Sequence, residues 1–239
     1  MIFAMTIYMT LLNFMRFIVF SFFILSTGCV SAQIDSSAKY PDAWWAVVPA
    51  DQLASWEIPP QAAHRELGEV ILSKRNELGQ FSNLADVSFE LDGQKYASIE
   101  GLWQSLKFPE SADDERLKDQ NIVWPALRAE VMLMSGFAAK KAGDLANANM
   151  KKLGIKWVTY QNKKIEYTGR DQNEHYQLIL RASRAKILQN TSLRALLLKT
   201  GSLKLLPDHQ QKADSPPAYR YFDIYMKLRA ELQNSPEKY

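Results

Sequence analysis

The chain has 239 residues, 47% of them hydrophobic and 23% charged, the proportions of a globular rather than a disordered protein and enough for one large domain or two small ones. A formal net charge of +3 is too small to argue for nucleic acid by itself and leaves that partner open. The single cysteine, Cys29, excludes a disulfide framework.

The first segment reads as a signal sequence over residues 1–32. "FMRFIVFSFFILSTG" (Phe14–Gly28) places Arg16 before an apolar run and then small residues. That run is short for a membrane span, which needs roughly 20 apolar residues. Met15 is expected as the natural start; read from Met1, the stretch to Leu25 could instead span as an uncleaved anchor. Two exits compete. Val30-Ser31-Ala32 before Gln33 fits a signal-peptidase site, and Leu25–Cys29 resembles a lipobox with Ser26 where Leu is usual. Either implies an exported protein, periplasmic or in the cell envelope, with lipid attachment at Cys29 in the second case.

Residues 33–66 form a Trp/Pro-rich arm, with Trp44, Trp45 and Trp56 set among Pro41, Pro49, Pro59 and Pro60. Three indoles carry too much apolar area for a plain linker, so the arm is expected to wrap onto the domain or to stack on a ligand. Residues 86–98 predict a hairpin: Val87, Phe89 and Leu91 alternate with polar residues, Asp92-Gly93 turns, and Lys95–Ala97 returns. Ser98 then caps a helix over Ile99–Phe108, stopped by Pro109. Trp124–Lys141 reads as a second helix, with Gly143 as its stop. Trp157–Tyr160 and Lys164–Tyr167 suggest another hairpin. Helices follow over Glu174–Leu188, Ser192–Lys199 and about 218–233, and 202–217 reads as irregular. The expectation is an α+β fold: a single helix-dominated domain, residues 67–233, with one or two small β-hairpins and a tail at 234–239.

No metal or cofactor motif is present, and none is expected to be needed. His64, His175 and His209 are scattered, and no Walker loop, G-x-G-x-x-G or G-x-S-x-G occurs. Asp208-His209 lacks a supporting serine and reads as a surface loop. Chemistry is left to carboxylate, lysine and hydroxyl groups.

The helix from Ile99 gathers such groups. At 100° per residue Glu100, Gln104 and Lys107 share one face, with Trp103 at its margin and Ile99, Leu102 and Leu106 on the adjoining apolar stripe. Two readings stand. An acid in the first turn and a base in the last suit the helix dipole and need no further role. Alternatively, if the face is covered, burial lowers the lysine's pKa and raises the acid's, which suits cleavage of a bond between a sugar and a base.

The block "ELGQFSNLADVSFELDGQKYASIEGLWQSLKFPE" (Glu77–Glu110) resembles the opening of the NADAR (YbiA-like) family: Gly79, Phe81–Leu84, Asp92-Gly93, Tyr96, Ser98–Glu100, Gln104 and Lys107 match its pattern. Arg184–Leu206 and Tyr225–Leu232 are similar to later parts. The resemblance implies an N-glycosidase acting on a ribosylated base or nucleotide-like small molecule. Glu100 and Lys107 would be the catalytic pair, with Lys107 as Schiff-base nucleophile. Ser82, Asn83, Trp103, Gln104, Trp157 and Lys186 would bind substrate. The chain departs from the family at Gly101-Leu102, in the insertion Tyr160–Tyr176, and in the glycine-free segment Pro207–Phe222, where a phosphate-side loop is usual. A non-catalytic nucleotide- or sugar-binding envelope protein is the alternative.

Overall fold

Helix α1 (Ile99–Ser105) sits at the centre of the fold, and its start follows from one residue. Ser98 Oγ accepts from the Gly101 amide at 2.8 Å and donates to the Met134 carbonyl at 3.0 Å, so the cap also fixes a neighbouring segment. The computed structural model describes residues 39–169 and 171–234, all within one unit, Asp35–Tyr239. The signal sequence, Cys29 and the last residues of the tail lie outside the described residues. Among the described residues no helix is long and apolar enough to cross a membrane.

The protein is an α+β domain. Among the described residues six α-helices surround three separate two-stranded ladders: β1 (Glu69–Ile71) with β6 (Lys204–Leu206), β2 (Phe89–Leu91) with β3 (Gln94–Tyr96), and β4 (Trp157–Tyr160) with β5 (Lys163–Glu166). Both hairpins turn through two residues of positive φ, Asp92-Gly93 and Gln161-Asn162, which match the twist of paired strands. The second hairpin's turn is therefore one residue shorter than the sequence suggests, with Lys163 already in the strand.

Three expectations are corrected. The helix anticipated over Trp124–Lys141 is two: α2 (Arg128–Met132) and α3 (Gly136–Lys152). The break falls at Gly136, whose φ of +58° interrupts the helical path. Gly143 does not stop a helix; it lies inside α3, where its missing Cβ leaves room for the Gln104 amide. The stretch 202–217 is not wholly irregular, because Lys204–Leu206 pairs in parallel with β1.

Around α1, helices α2, α3 and α4 (Glu174–Gln189) pack directly, while α5 (Thr191–Lys199) and α6 (Tyr221–Asn234) complete the other side. The core runs from Val70 and Leu72 through Ile99, Leu102 and Leu106 to Ile179, Tyr225 and Leu228. The arm, as described from residue 39, is a series of short turns on this core. Trp44 is fully buried and donates to Glu77 Oε1 at 2.7 Å; Trp45 donates to the Glu69 carbonyl at 2.8 Å. At the far end of the arm, Glu57 forms a bridge with His209, and the Ile58 amide donates to the Asp208 carbonyl at 2.8 Å.

Candidate active site

The loop after Phe81 and the first turn of α1 are tied together by one bond, Glu100 N to the Asn83 carbonyl at 2.8 Å. Beneath that loop, Lys186 from α4 is fully buried and donates to the carbonyls of Gln80 at 2.7 Å and Ser82 at 3.1 Å. The result is one wall of a cleft of about 450 Å³, carrying Ser82, Asn83, Leu84 and Glu100. Trp56 from the arm, Phe137, Tyr219 and Tyr221 supply aromatic surface, and Lys74, Lys140 and His209 supply cationic or titratable groups.

Glu100 is half-buried, and Gln104 Nε2 donates to its Oε1 at 2.7 Å. Gln104 is itself pressed against Gly143. The acceptor oxygens Asn83 Oδ1 and Gln104 Oε1 are buried without a protein partner. Buried polar atoms normally find a hydrogen bond, so Asn83 Oδ1, on a cleft residue, marks a place where a polar ligand or solvent group is favoured, whereas Gln104 Oε1 packs against Gly143.

Lys107 is placed differently from the even helical face read in the sequence. Regular α1 ends at Ser105, and the chain closes with shorter-range bonds, Lys107 N to the Gln104 carbonyl at 3.2 Å and Phe108 N to the Ser105 carbonyl at 3.0 Å. A tighter turn advances each residue further round the axis than α-helix spacing assumes. Arg116, fully buried on Asp114, fixes this ending by donating to the Leu106 carbonyl at 3.0 Å. Lys107 is 4% exposed and does not line the cleft; its ammonium lies 4.9 Å from the Trp103 ring centre.

Trp103 belongs to a chamber of rings beside the cleft. Its ring centre is 4.3 Å from His175, 5.2 Å from Tyr167 and 6.1 Å from Tyr219. Tyr219 is shared, lining the cleft as well. Burial lowers Lys107 to about 8, against the opposing pull of Glu100 and Asp144. Burial, and then the nearby Lys107, lower His175 to about 4, so the imidazole is neutral.

Of the eight residues singled out in the sequence, Ser82, Asn83 and Glu100 line the cleft, and Gln104 stands one hydrogen bond behind. Trp103 and Lys107 share the adjoining chamber. The other two, Lys186 and Trp157, do not line this cleft. Lys186 is sealed under the 80–84 loop, where two carbonyls occupy it. Trp157 lies outside the cleft between Lys164 and Arg116, at 4.3 and 5.1 Å from its ring centre.

The reading of Asp208-His209 as a surface loop is also overturned. Asp208 is 1% exposed, ion-paired with Lys74, and His209 lines the cleft. Neither residue sits in a recognisable motif; the pairing with Lys74 spans most of the chain, so local sequence carries no signal for it. Among the described residues no three His, Cys, Asp or Glu side chains form a metal-holding cluster.

No protein-family model matches the chain, and no curated protein matches it in sequence. Among solved structures it is similar to the E. coli protein YbiA, determined by NMR. The identity is 23% over 70% of this chain and 85% of that one, with a TM-score of 0.44.

Proposed function

We propose that this protein is an N-glycosidase that hydrolyses the bond between ribose and a base or amine in a ribosylated, nucleotide-like small molecule. The observation carrying this reading is the cleft that brings Ser82, Asn83 and Glu100, all from the NADAR-like block, together with Trp56, Phe137, Tyr219 and Tyr221. Aromatic faces suit a planar base. The half-buried Glu100 carboxylate, braced by Gln104, suits a ribose hydroxyl or the positive charge that develops on the sugar as the bond breaks. Lys107, held near 8 in the chamber behind Tyr219, is the candidate amine for a Schiff base with the opened ribose. Lys107 does not line the cleft, so such an adduct requires its ammonium to move into it.

The experiment is incubation of the purified protein with ADP-ribosylated guanosine and with ribosides derived from NAD, with borohydride added to trap an imine. Release of free base and a borohydride-stable sugar adduct on Lys107 are expected. No cleavage and no adduct would sink the reading for these substrates.

The seclusion of Lys107 favours a second reading, a nucleotide- or sugar-binding module without catalysis. It expects thermal stabilisation by the same compounds that survives Lys107→Ala. Export, with or without lipid attachment at Cys29, is part of the same proposal and is tested by fractionating cells that express the full chain.

A further inference from the structure

The cleft that holds Glu100 also carries a carboxylate–imidazole pair that nothing in the proposed Glu/Lys chemistry uses. We infer that His209 is a second proton-transfer group of this cleft, oriented by Asp208 and serving the nitrogen of the departing base; this rests on the glycosidase reading above.

Four observations carry it. His209 Nδ1 lies 2.9 Å from Asp208 Oδ1, so Nδ1 keeps the proton and Nε2 is the ring nitrogen left for a ligand. Asp208 is 1% exposed, and its other oxygen meets Lys74. Burial pushes the Asp208 carboxyl up, but the hydrogen bonds from His209 and Lys74 outweigh it and hold the group below its usual range. The imidazole lies flat on Tyr221, with ring centres 6.1 Å apart and planes within 8°, and the Tyr221 hydroxyl donates to Asp208 Oδ1 at 3.3 Å. Finally, the arm clamps the backbone of the pair through the Glu57–His209 bridge. The charged and titratable groups around the pair are Asp208, Lys74 and Tyr221 in contact with it, Glu100, Lys140 and Tyr219 lining the same cleft, and Glu57 bridged to His209. A carboxylate that fixes the tautomer of a histidine open to a cleft is the arrangement that proton transfer requires.

The step balances. The C1′–N bond breaks and its electron pair passes to the leaving nitrogen, which takes the proton from protonated His209 Nε2. C1′ accepts the oxygen of water, directly or after Lys107 has held the carbon and been displaced. The proton that the water loses is taken by Glu100 and returned to the imidazole. One water is consumed, and the base leaves with a new N–H.

Leaving-group dependence tests it. The base of guanosine needs a proton to depart, whereas the ring cation of nicotinamide riboside departs neutral without one. His209→Gln is expected to lower the ratio of guanosine to nicotinamide riboside cleavage by about 100-fold; an unchanged ratio overturns the inference. Where the wild type cuts neither compound, the pair is judged by ¹⁵N NMR of the wild-type protein's three histidines, while the glycosidase reading stands or falls on its own substrates. The His209 resonances are expected to show the Nδ1–H tautomer, an Nε2 signal that moves when guanosine is added, and loss of tautomer preference in Asp208→Asn. An Nε2–H tautomer, or a signal indifferent to guanosine, overturns the inference whatever the activity.

Discussion

Lys107 and Lys186 are both lowered by burial, to about 8 and about 7, yet removing them is expected to do opposite things to stability. The Lys107 ammonium makes no hydrogen bond or ion pair among the described residues and has the Trp103 ring face at 4.9 Å, so its charge is poorly compensated. Below pH 8 both folded and unfolded chains carry its proton, and the folded state bears the full cost. The gap between 10.5 and about 8 corresponds to roughly 3 kcal/mol. Between pH 8 and 10.5 the unfolded chain binds the proton that the folded one has released, so stability rises with pH and the cost fades. Lys107→Met should therefore be more stable than wild type by about 3 kcal/mol near pH 6 in urea melts, and close to it near pH 10.5, while losing activity. A difference that does not vary with pH contradicts the burial argument. Lys186→Met removes the donor from the Gln80 and Ser82 carbonyls and leaves the Ser82 carbonyl buried without it. It should cost about 2–3 kcal/mol at neutral pH and slow catalysis through the 80–84 loop, as melts and kcat together would show.

The contact between α1 and α3 decides how Glu100 is held. In an exposed helix interior, glycine to alanine would stabilise by about 1 kcal/mol. At Gly143 a Cβ would overlap the Gln104 amide, so steric conflict outweighs propensity. Gly143→Ala is expected to lower stability by about 1–3 kcal/mol and, by displacing Gln104, to reduce kcat/KM more than Lys140→Ala on the same helix does. Equal effects would show that Gln104 does not brace Glu100. Much of α1 was legible beforehand: the Ser98 cap, the apolar stripe and the shared face of Glu100 and Gln104 are all set within a few residues. Its ending was not. Lys107 falls beyond the regular helix, which stops at Ser105, in a turn whose Leu106 carbonyl is taken by Arg116, ten positions after Leu106, and helical spacing carries no trace of such a partner. Gly143 misled for the same reason: a glycine that admits a neighbour's side chain looks, in sequence, like one that ends a helix.

At the scale of the molecule, the two hairpins and four of the helices follow from local pattern, and the closure of the fold does not. β1 and β6 are only three residues each and pair in parallel across most of the chain, so neither has the length to announce itself. The same closure buries Asp208 against Lys74 and brings His209 under the arm, turning an apparent surface loop into a cleft wall. The arm's tryptophans could be read as packing or as ligand stacking, and the structure divides those roles by position. Trp44 is fully buried with its N–H on Glu77; Trp56 is 42% exposed, lines the cleft, stands 4.8 Å from the Lys74 ammonium, and meets Phe137 edge-on at 6.4 Å. Trp44→Ala should thus cost about 3–5 kcal/mol by removing a large buried ring, with kcat/KM preserved in whatever fraction stays folded. Trp56→Ala, half in solvent, should shift stability by no more than about 1 kcal/mol. It should raise KM for a base-bearing substrate several-fold, because one aromatic face of the cleft is gone. Urea denaturation and steady-state kinetics on the two variants separate the roles: stability must fall with Trp44 and substrate affinity with Trp56. If Trp56→Ala binds substrate as tightly as wild type, the arm is packing along its whole length and the cleft's specificity must rest on Phe137, Tyr219 and Tyr221 alone.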